Sequence, residues 1–312
     1  MGRRTALLGG LAAVAGAVSG CVNAPVEPRS ETERLTTPTR RPTSTPKPPP
    51  TLPTGGRTVF PGNRLVGYCG APGAAALGRM TGNLSTAAGQ LVRQARSYHT
   101  DRPVLPVVEL IATVVNGAPG PDGKYRTRAS DSTIEQYLAH ARAVHGLLLL
   151  NIQPGLADFL PEVAAYRRWL AEPDIGVALD PEWAVEPGVV PGQKFGHTTG
   201  AELDSVSAYL SGLVRRYDLP EKVMVYHQVA ASVVSREHDL LAHEGVAAVK
   251  SVDGIGVPGS KLATWRKLMR TKPAHVRAGF KLFYSEDTES GPLMTPAQVL
   301  RLSPTPSYVM YE

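Results

Sequence analysis

The run Ile175-Gly176-Val177-Ala178-Leu179-Asp180-Pro181-Glu182-Trp183 offers the clearest chemistry in the chain. Apolar residues lead into two carboxylates separated by a single proline. Side chains alternate along an extended strand, so Asp180 and Glu182 are expected on one side, about 6–7 Å apart along the backbone. Two carboxylates this close and shielded from water resist ionising together. One keeps its proton to higher pH and can act as a general acid near neutrality. Glycosidic cleavage uses such a pair: one carboxyl protonates the leaving oxygen, and the other stabilises the developing cation or positions an attacking group. Trp183 adds an aromatic face that suits the C–H side of a pyranose. The competing reading is structural, with Asp180 capping a turn at Pro181 and Glu182 paired to Lys281 or Arg266.

Other polar residues also end apolar runs. Glu109 sits inside Val107-Val108-Glu109-Leu110-Ile111, Asn151 and Gln153 close another run, and His227-Gln228 follows Val225-Tyr226. Asp253 opens Asp253-Gly254-Ile255-Gly256, and Lys281, Tyr284, Glu286 and Asp287 cluster near residue 284. Asp180 and Glu182 are therefore the candidate catalytic residues. Glu109, Asn151, Trp183, His227, Asp253, Tyr284 and Glu286 are the candidate substrate-binding residues. Each has a plainer alternative. A strand Glu can pair with a neighbouring Lys, a strand His can be a satisfied core residue, and Asp-Gly can make a turn. Cys69 has no basic neighbour in sequence to lower its pKa and reads as a small buried residue.

Positioning these side chains requires strands that converge. Eight short apolar runs fall at Leu65–Cys69, Val104–Val115, Leu147–Ile152, Ile175–Leu179, Lys222–His227, Val246–Val252, Gly279–Tyr284 and Ser307–Tyr311. Helical patterns lie between them near residues 85–98, 133–143, 160–171, 201–217, 233–243, 260–269 and 295–302. Asp131 or Ser132 can cap the second of these, and Thr295-Pro296 places Pro at a first helical position. Strand–helix alternation implies a parallel sheet, and eight strands in about 250 residues match a closed (β/α)₈ TIM-like barrel over 64–312. A doubly wound open sheet is the alternative. In a closed barrel the strand ends form the C-terminal mouth, where barrel enzymes place their chemistry.

An Asp-x-Glu ending the fourth strand of a β/α barrel resembles the family 25 lysozymes and, more loosely, the family 18 chitinases. The resemblance implies that Glu182 is the acid and that Asp180 is its electrostatic partner or orients a substrate acetamide. It covers that strand motif and the barrel order. The first strand reads Gly67-Tyr68-Cys69-Gly70, where family 25 carries an Asp, and Gly176-Val177-Ala178 replaces the Asp-rich run of family 18.

The start of the chain concerns location. Arg3 and Arg4 precede an uncharged apolar stretch from Ala6 to Val18, which is long enough for an export signal but short for a membrane span. Val18-Ser19-Gly20-Cys21 then resembles the bacterial lipobox. The resemblance implies a cleaved signal over 1–20 and a lipid-modified Cys21 that anchors the protein on the extracytoplasmic face of the cell membrane. Residues 21–63 are rich in Pro and Thr without apolar periodicity and read as a disordered tether. The whole arrangement resembles the tethered lipoproteins of high-GC Gram-positive bacteria. Up to Asn63 there are eight Lys/Arg against three Asp/Glu, and from Arg64 onward 25 against 24, so the basic excess lies outside the expected barrel. A near-neutral domain argues against nucleic-acid binding. Once Cys21 is modified, Cys69 has no intramolecular disulfide partner.

There is no Gly-x-Ser-x-Gly, phosphate-binding loop or dinucleotide fingerprint, and no strong metal motif, so no cofactor is expected. Three readings follow. The first is a cell-surface, glycoside-hydrolase-like barrel, expected to be a monomer, acting on cell-wall or environmental glycan. The second is a non-catalytic barrel that binds glycan or protein. The third is a metal-dependent hydrolase using Asp180, Glu182, His227 and Asp253. Only three Trp and 6% aromatic residues weigh against a long carbohydrate cleft.

Overall fold

Each of the eight apolar runs forms a parallel strand, and the last strand pairs back onto the first. The structure is a computed structural model that describes residues 48–312. The expected signal (1–20), Cys21 and the tether as far as residue 47 lie outside the described residues. The strands are β1 (Arg64–Gly70), β2 (Val104–Val115), β3 (Leu147–Ile152) and β4 (Ile175–Leu179). They continue with β5 (Lys222–Gln228), β6 (Val246–Val252), β7 (Arg277–Leu282) and β8 (Tyr308–Tyr311). Neighbours in sequence are neighbours in the sheet. Leu65 of β1 is in register with both Leu105 of β2 and Tyr308 of β8, which closes the barrel. The fold is an α/β, TIM-like barrel.

Strand alternation produces two apolar layers. Outward residues such as Val66, Leu110, Leu150, Val177 and Phe280 pack under the helices. Inward residues such as Leu65, Val107, Leu149, Val225 and Met310 fill the barrel. The interior is tight near β4. A Cβ on Gly176 would lie 2.5 Å from the Val223 carbonyl oxygen and 2.8 Å from Leu149 Cδ2. Gly176→Ala is therefore expected to cost about 1–3 kcal/mol by overpacking, read as a lower midpoint in chemical denaturation. An unchanged midpoint would contradict this account of the barrel interior.

The helices are α1 (Leu84–Arg96), α2 (Asp131–Ala143), α3 (Phe159–Ala165), α4 (Arg167–Leu170), α5 (Gly200–Tyr217), α6 (Pro258–Met269) and α7 (Pro296–Leu300). Among the described residues, no helix is long and apolar enough to cross a membrane. Thr295 and Gln298 form a capping box at α7, with Pro296 inside the first turn. The cap of α2 is Ser130, whose hydroxyl accepts from Thr133 N, rather than Asp131 or Ser132. Asp131 instead accepts from Trp169 Nε1 at 2.9 Å.

The helix expected over 233–243 does not form. Val234–Ser235 pairs with Thr198–Thr199, Arg236 takes a left-handed φ of 48°, and Glu237–Asp239 makes one 3₁₀ turn. Glu237 turns into the layer between strands and helices, where its carboxylate accepts from Tyr226 OH at 2.5 Å and Lys250 Nζ at 2.7 Å. The apolar spacing that mimicked a helix is met by Val233, Val234 and Leu240, all buried on this irregular path.

Residues 48–63, which composition assigns to the tether, belong to the barrel unit. Leu52, Val59 and Phe60 join the inward core. Val59 N donates to Glu221 Oε2 at 2.6 Å, and the Arg57 guanidinium donates to Asp218 Oδ1 at 2.7 Å. Glu221 and Asp218 directly precede β5, so this segment closes the N-terminal end of the barrel. The opposite end is the mouth.

Candidate functional site at the barrel mouth

The alternation that fills the barrel with Leu and Val also delivers polar groups to its upper layer. Cys69, Glu109, Asn151, His227, Ser251 and Lys281 share the inward parity of Leu65, Val107, Leu149, Val225 and Val249 on their strands, or of Gly279 on β7. Asp180, Asp253 and Glu312 extend that parity just past β4, β6 and β8. Glu109, Asn151, Asp180, His227, Asp253 and Lys281 are all buried.

These side chains form one network. Asn151 Nδ2 donates to Glu109 Oε1 at 2.9 Å and to Asp180 Oδ1 at 3.2 Å. Gln153 Nε2 donates to Asp180 Oδ2 at 3.2 Å. Tyr308 OH donates to Glu109 Oε2 at 2.5 Å. His227 Nδ1 is 2.8 Å from Asp253 Oδ2, and its Nε2 lies 3.3 Å from Glu109 Oε1 and 3.9 Å from Asp180 Oδ1. Ser251 Oγ donates to Asp253 Oδ1 at 2.8 Å. Lys281 Nζ pairs with Glu312 Oε2 at 2.7 Å and Asp253 Oδ2 at 3.4 Å.

Burial opposes a charge on His227, but Asp253, Glu109 and Asp180 outweigh it and raise the imidazole well above its ordinary range. Burial likewise works against the Asp253 carboxylate, yet His227 and Lys281 hold it down to about 2. Glu109 is also lowered, because His227 overcomes the cost of burial. Lys281 stays charged against burial through Glu312 and Asp253. Five carboxyl groups (Glu109, Asp180, Glu182, Asp253 and Glu312) thus share two cations, and ionising all of them would leave three uncompensated negative charges. Protons must remain where the cations do not reach.

Glu182 is that place. Among the described residues it makes no ion pair, and its Oε2 is sheltered without a hydrogen-bond partner. Burial, then the charges of Asp180 and Asp253, push its carboxyl up to about 8. Asp180 is raised as well, by burial, despite His227 and Lys281. The strand ends at Leu179, and Pro181–Trp183 is a 3₁₀ turn, so Glu182 reaches the mouth from a turn rather than from the strand. Asp180 precedes that turn without a side-chain capping bond, and Lys281 pairs elsewhere. Among the described residues, neither a cap from Asp180 nor an ion pair of Glu182 with Lys281 or Arg266 forms.

A proton held by Glu182 affects stability. Between its ordinary value of 4.5 and about 8, the folded state keeps this proton while the unfolded state releases it. The unfolded state then binds fewer protons, so stability falls as pH rises across that interval. The Glu182→Gln variant is expected to lose this part of the slope and to gain on the parent at pH 8. Thermal melts at pH 5 and pH 8 read the difference, and parallel pH trends in the two proteins would contradict it.

Asp180, Glu182, Trp183, Asp253, Lys281 and Glu312 line a central cavity of about 210 Å³. Exposed Phe195 and Ile255 stand at its rim. Glu182, Trp183 and Phe195 also line an adjoining cavity of about 370 Å³ with Gln193 and Lys194. Of the expected residues, Glu109, Asn151 and His227 form the network beneath the cavity, while Trp183 and exposed Glu286 border it. Tyr284 lies apart from this network. Its ring stacks on Tyr311 at 5.4 Å, on the side facing α1. Asp287 is also structural, pairing with Lys261 at 2.8 Å. Gln228 donates to the Ala230 carbonyl.

Sequence reasoning missed Glu312, Tyr308 and Phe195. The signal for the first two was the parity of β8, where residues 308, 310 and 312 face inward. Phe195 comes from an irregular loop whose sequence carries no comparable mark. Among the described residues, no group of three or more His, Cys, Asp or Glu is arranged to hold a metal ion. No protein-family model matches the chain, and no curated protein matches it.

Proposed function

We propose that this protein is a cell-surface glycoside hydrolase that cleaves cell-wall or environmental glycan, with Glu182 as the general acid. One observation carries the reading. Glu182 is a sheltered mouth carboxyl that makes no ion pair among the described residues, it retains its proton near neutrality, and it faces a cavity walled by Trp183 and Phe195.

Glu182 gives its proton to the glycosidic oxygen as the bond to the anomeric carbon breaks; the leaving sugar departs as an alcohol, water bonds to the anomeric carbon, and the proton that water releases restores the acid. Asp180, held by the amides of Asn151 and Gln153, faces the positive charge that develops on the sugar ring or orients a substrate acetamide. His227 and Lys281 compensate the deeper carboxylates, so the acid is kept at the solvent side of the cluster. Lipid on Cys21 holds the protein on the extracytoplasmic face of the membrane. Residues 48–63 lie at the closed end of the barrel, opposite the mouth.

The test is the pH dependence of kcat/KM on purified wall glycans and chromogenic glycosides. Activity is expected to fall as pH rises through about 8, where Glu182 loses its proton. Silence on every substrate with glycan binding retained favours the non-catalytic barrel instead.

A further inference from the structure

A third cavity, of about 420 Å³, adjoins the central one at Glu312 and is lined by Arg79, Asn83, Thr86, Gln90, Tyr284 and Ser285 among others. It flanks the central cavity on one side, sharing Glu312 with it, as the cavity beside Trp183 and Phe195 flanks it on the other, sharing Glu182, Trp183 and Phe195. Glu182 stands where the aromatic arm meets the centre, and Glu312 stands where the centre meets the polar arm.

The polar arm contains a cation with no assigned partner. Arg79 makes no ion pair and no side-chain hydrogen bond among the described residues. Its guanidinium lies over the Tyr284 ring, 3.9 Å from the centroid. This cation–π contact uses none of the guanidinium N–H donors, which can receive a carboxylate through two hydrogen bonds. The shelf beneath it is well fixed. Tyr284 stacks on Tyr311 at 5.4 Å, its hydroxyl is 3.2 Å from Tyr68 OH, and Tyr311 OH is 2.6 Å from Tyr98 OH. Glu312, the acidic group of this arm, is already paired with Lys281. Arg79 therefore faces the cavity as an uncompensated charge.

We infer that the polar arm is a subsite for an acidic sugar, and that Arg79 reads its carboxylate while the rest of the glycan chain crosses the mouth toward Trp183. This rests on the glycan reading above and adds the substrate's charge and the side on which it lies. It also gives Tyr284 a role as the platform under Arg79 rather than as a direct contact at the acid.

The test measures binding rather than turnover. In the Glu182→Gln protein, calorimetry compares chitotetraose with the peptide-free tetrasaccharide of alternating N-acetylglucosamine and N-acetylmuramic acid, which differ by the lactyl carboxylates. The acidic ligand is expected to bind about tenfold tighter or more, with the advantage shrinking as salt rises. Adding Arg79→Met, at an exposed position, should equalise the two ligands while leaving the melting temperature unchanged. Equal binding before that change, a preference that survives it, or no binding of either ligand would overturn the inference. Arg79-dependent preference without cleavage by the parent would sink the hydrolase reading alone. Cleavage without preference would sink the subsite alone.

Discussion

Glu182→Gln is expected to lower kcat/KM on a cleaved glycan by about a hundredfold or more without lowering the melting temperature at neutral pH. The amide keeps the size and planarity of the carboxyl and cannot donate the proton that the leaving oxygen needs. Structurally the change is mild, because Glu182 forms no ion pair that the amide would orphan and its Oε2 already lacks a partner. Stability and activity should therefore separate. A variant that loses activity only in proportion to lost folding would point to a structural role, and one that retains parental activity would remove Glu182 from the mechanism.

Lys281→Met is expected to do the reverse, with stability failing first. Lys281 is buried and offsets both Glu312 and Asp253. Removing one member of a buried ion pair typically costs about 3–5 kcal/mol, because the remaining charge is left without compensation. For a domain of this size that corresponds to a melting temperature lower by roughly 10 °C. Adding Glu312→Gln removes one of the stranded charges and should return part of the loss, whereas Asp253 keeps His227 and Ser251 as partners. Thermal denaturation of the two single variants and the double variant gives the coupling. Strictly additive losses would show that Lys281 and Glu312 do not support each other.

The barrel was legible because each strand combines an apolar run with a two-residue alternation, and both survive into the fold. The same alternation places Glu109, Asn151, Asp180, His227 and Asp253 on the inner side of the mouth. Legibility ends where the chain leaves regular structure. Glu182 sits in a turn rather than on a strand, and Phe195 reaches the mouth from a loop. Residues 233–243 show helical spacing, but Tyr226 and Lys250 hold Glu237 beneath the helices and take the backbone elsewhere. Proline-rich composition also concealed Leu52, Val59 and Phe60, three apolar residues that close the barrel floor. Tyr284 lies near the end of β7, yet its side chain faces Tyr68 and Tyr311 rather than the acid. Its parity is opposite to that of Gly279 and Lys281, which is the mark in the sequence that separates the two directions.

The chemistry proposed at the mouth requires a protonated Glu182 at neutral pH. Carbon-13 detected titration of the side-chain carboxyls, in the parent and in Glu182→Gln, tests it without requiring a substrate. The account predicts one glutamate carboxyl that titrates near pH 8 in the parent and is absent from the variant. A parent in which every glutamate carboxyl has ionised by about pH 6 would contradict it.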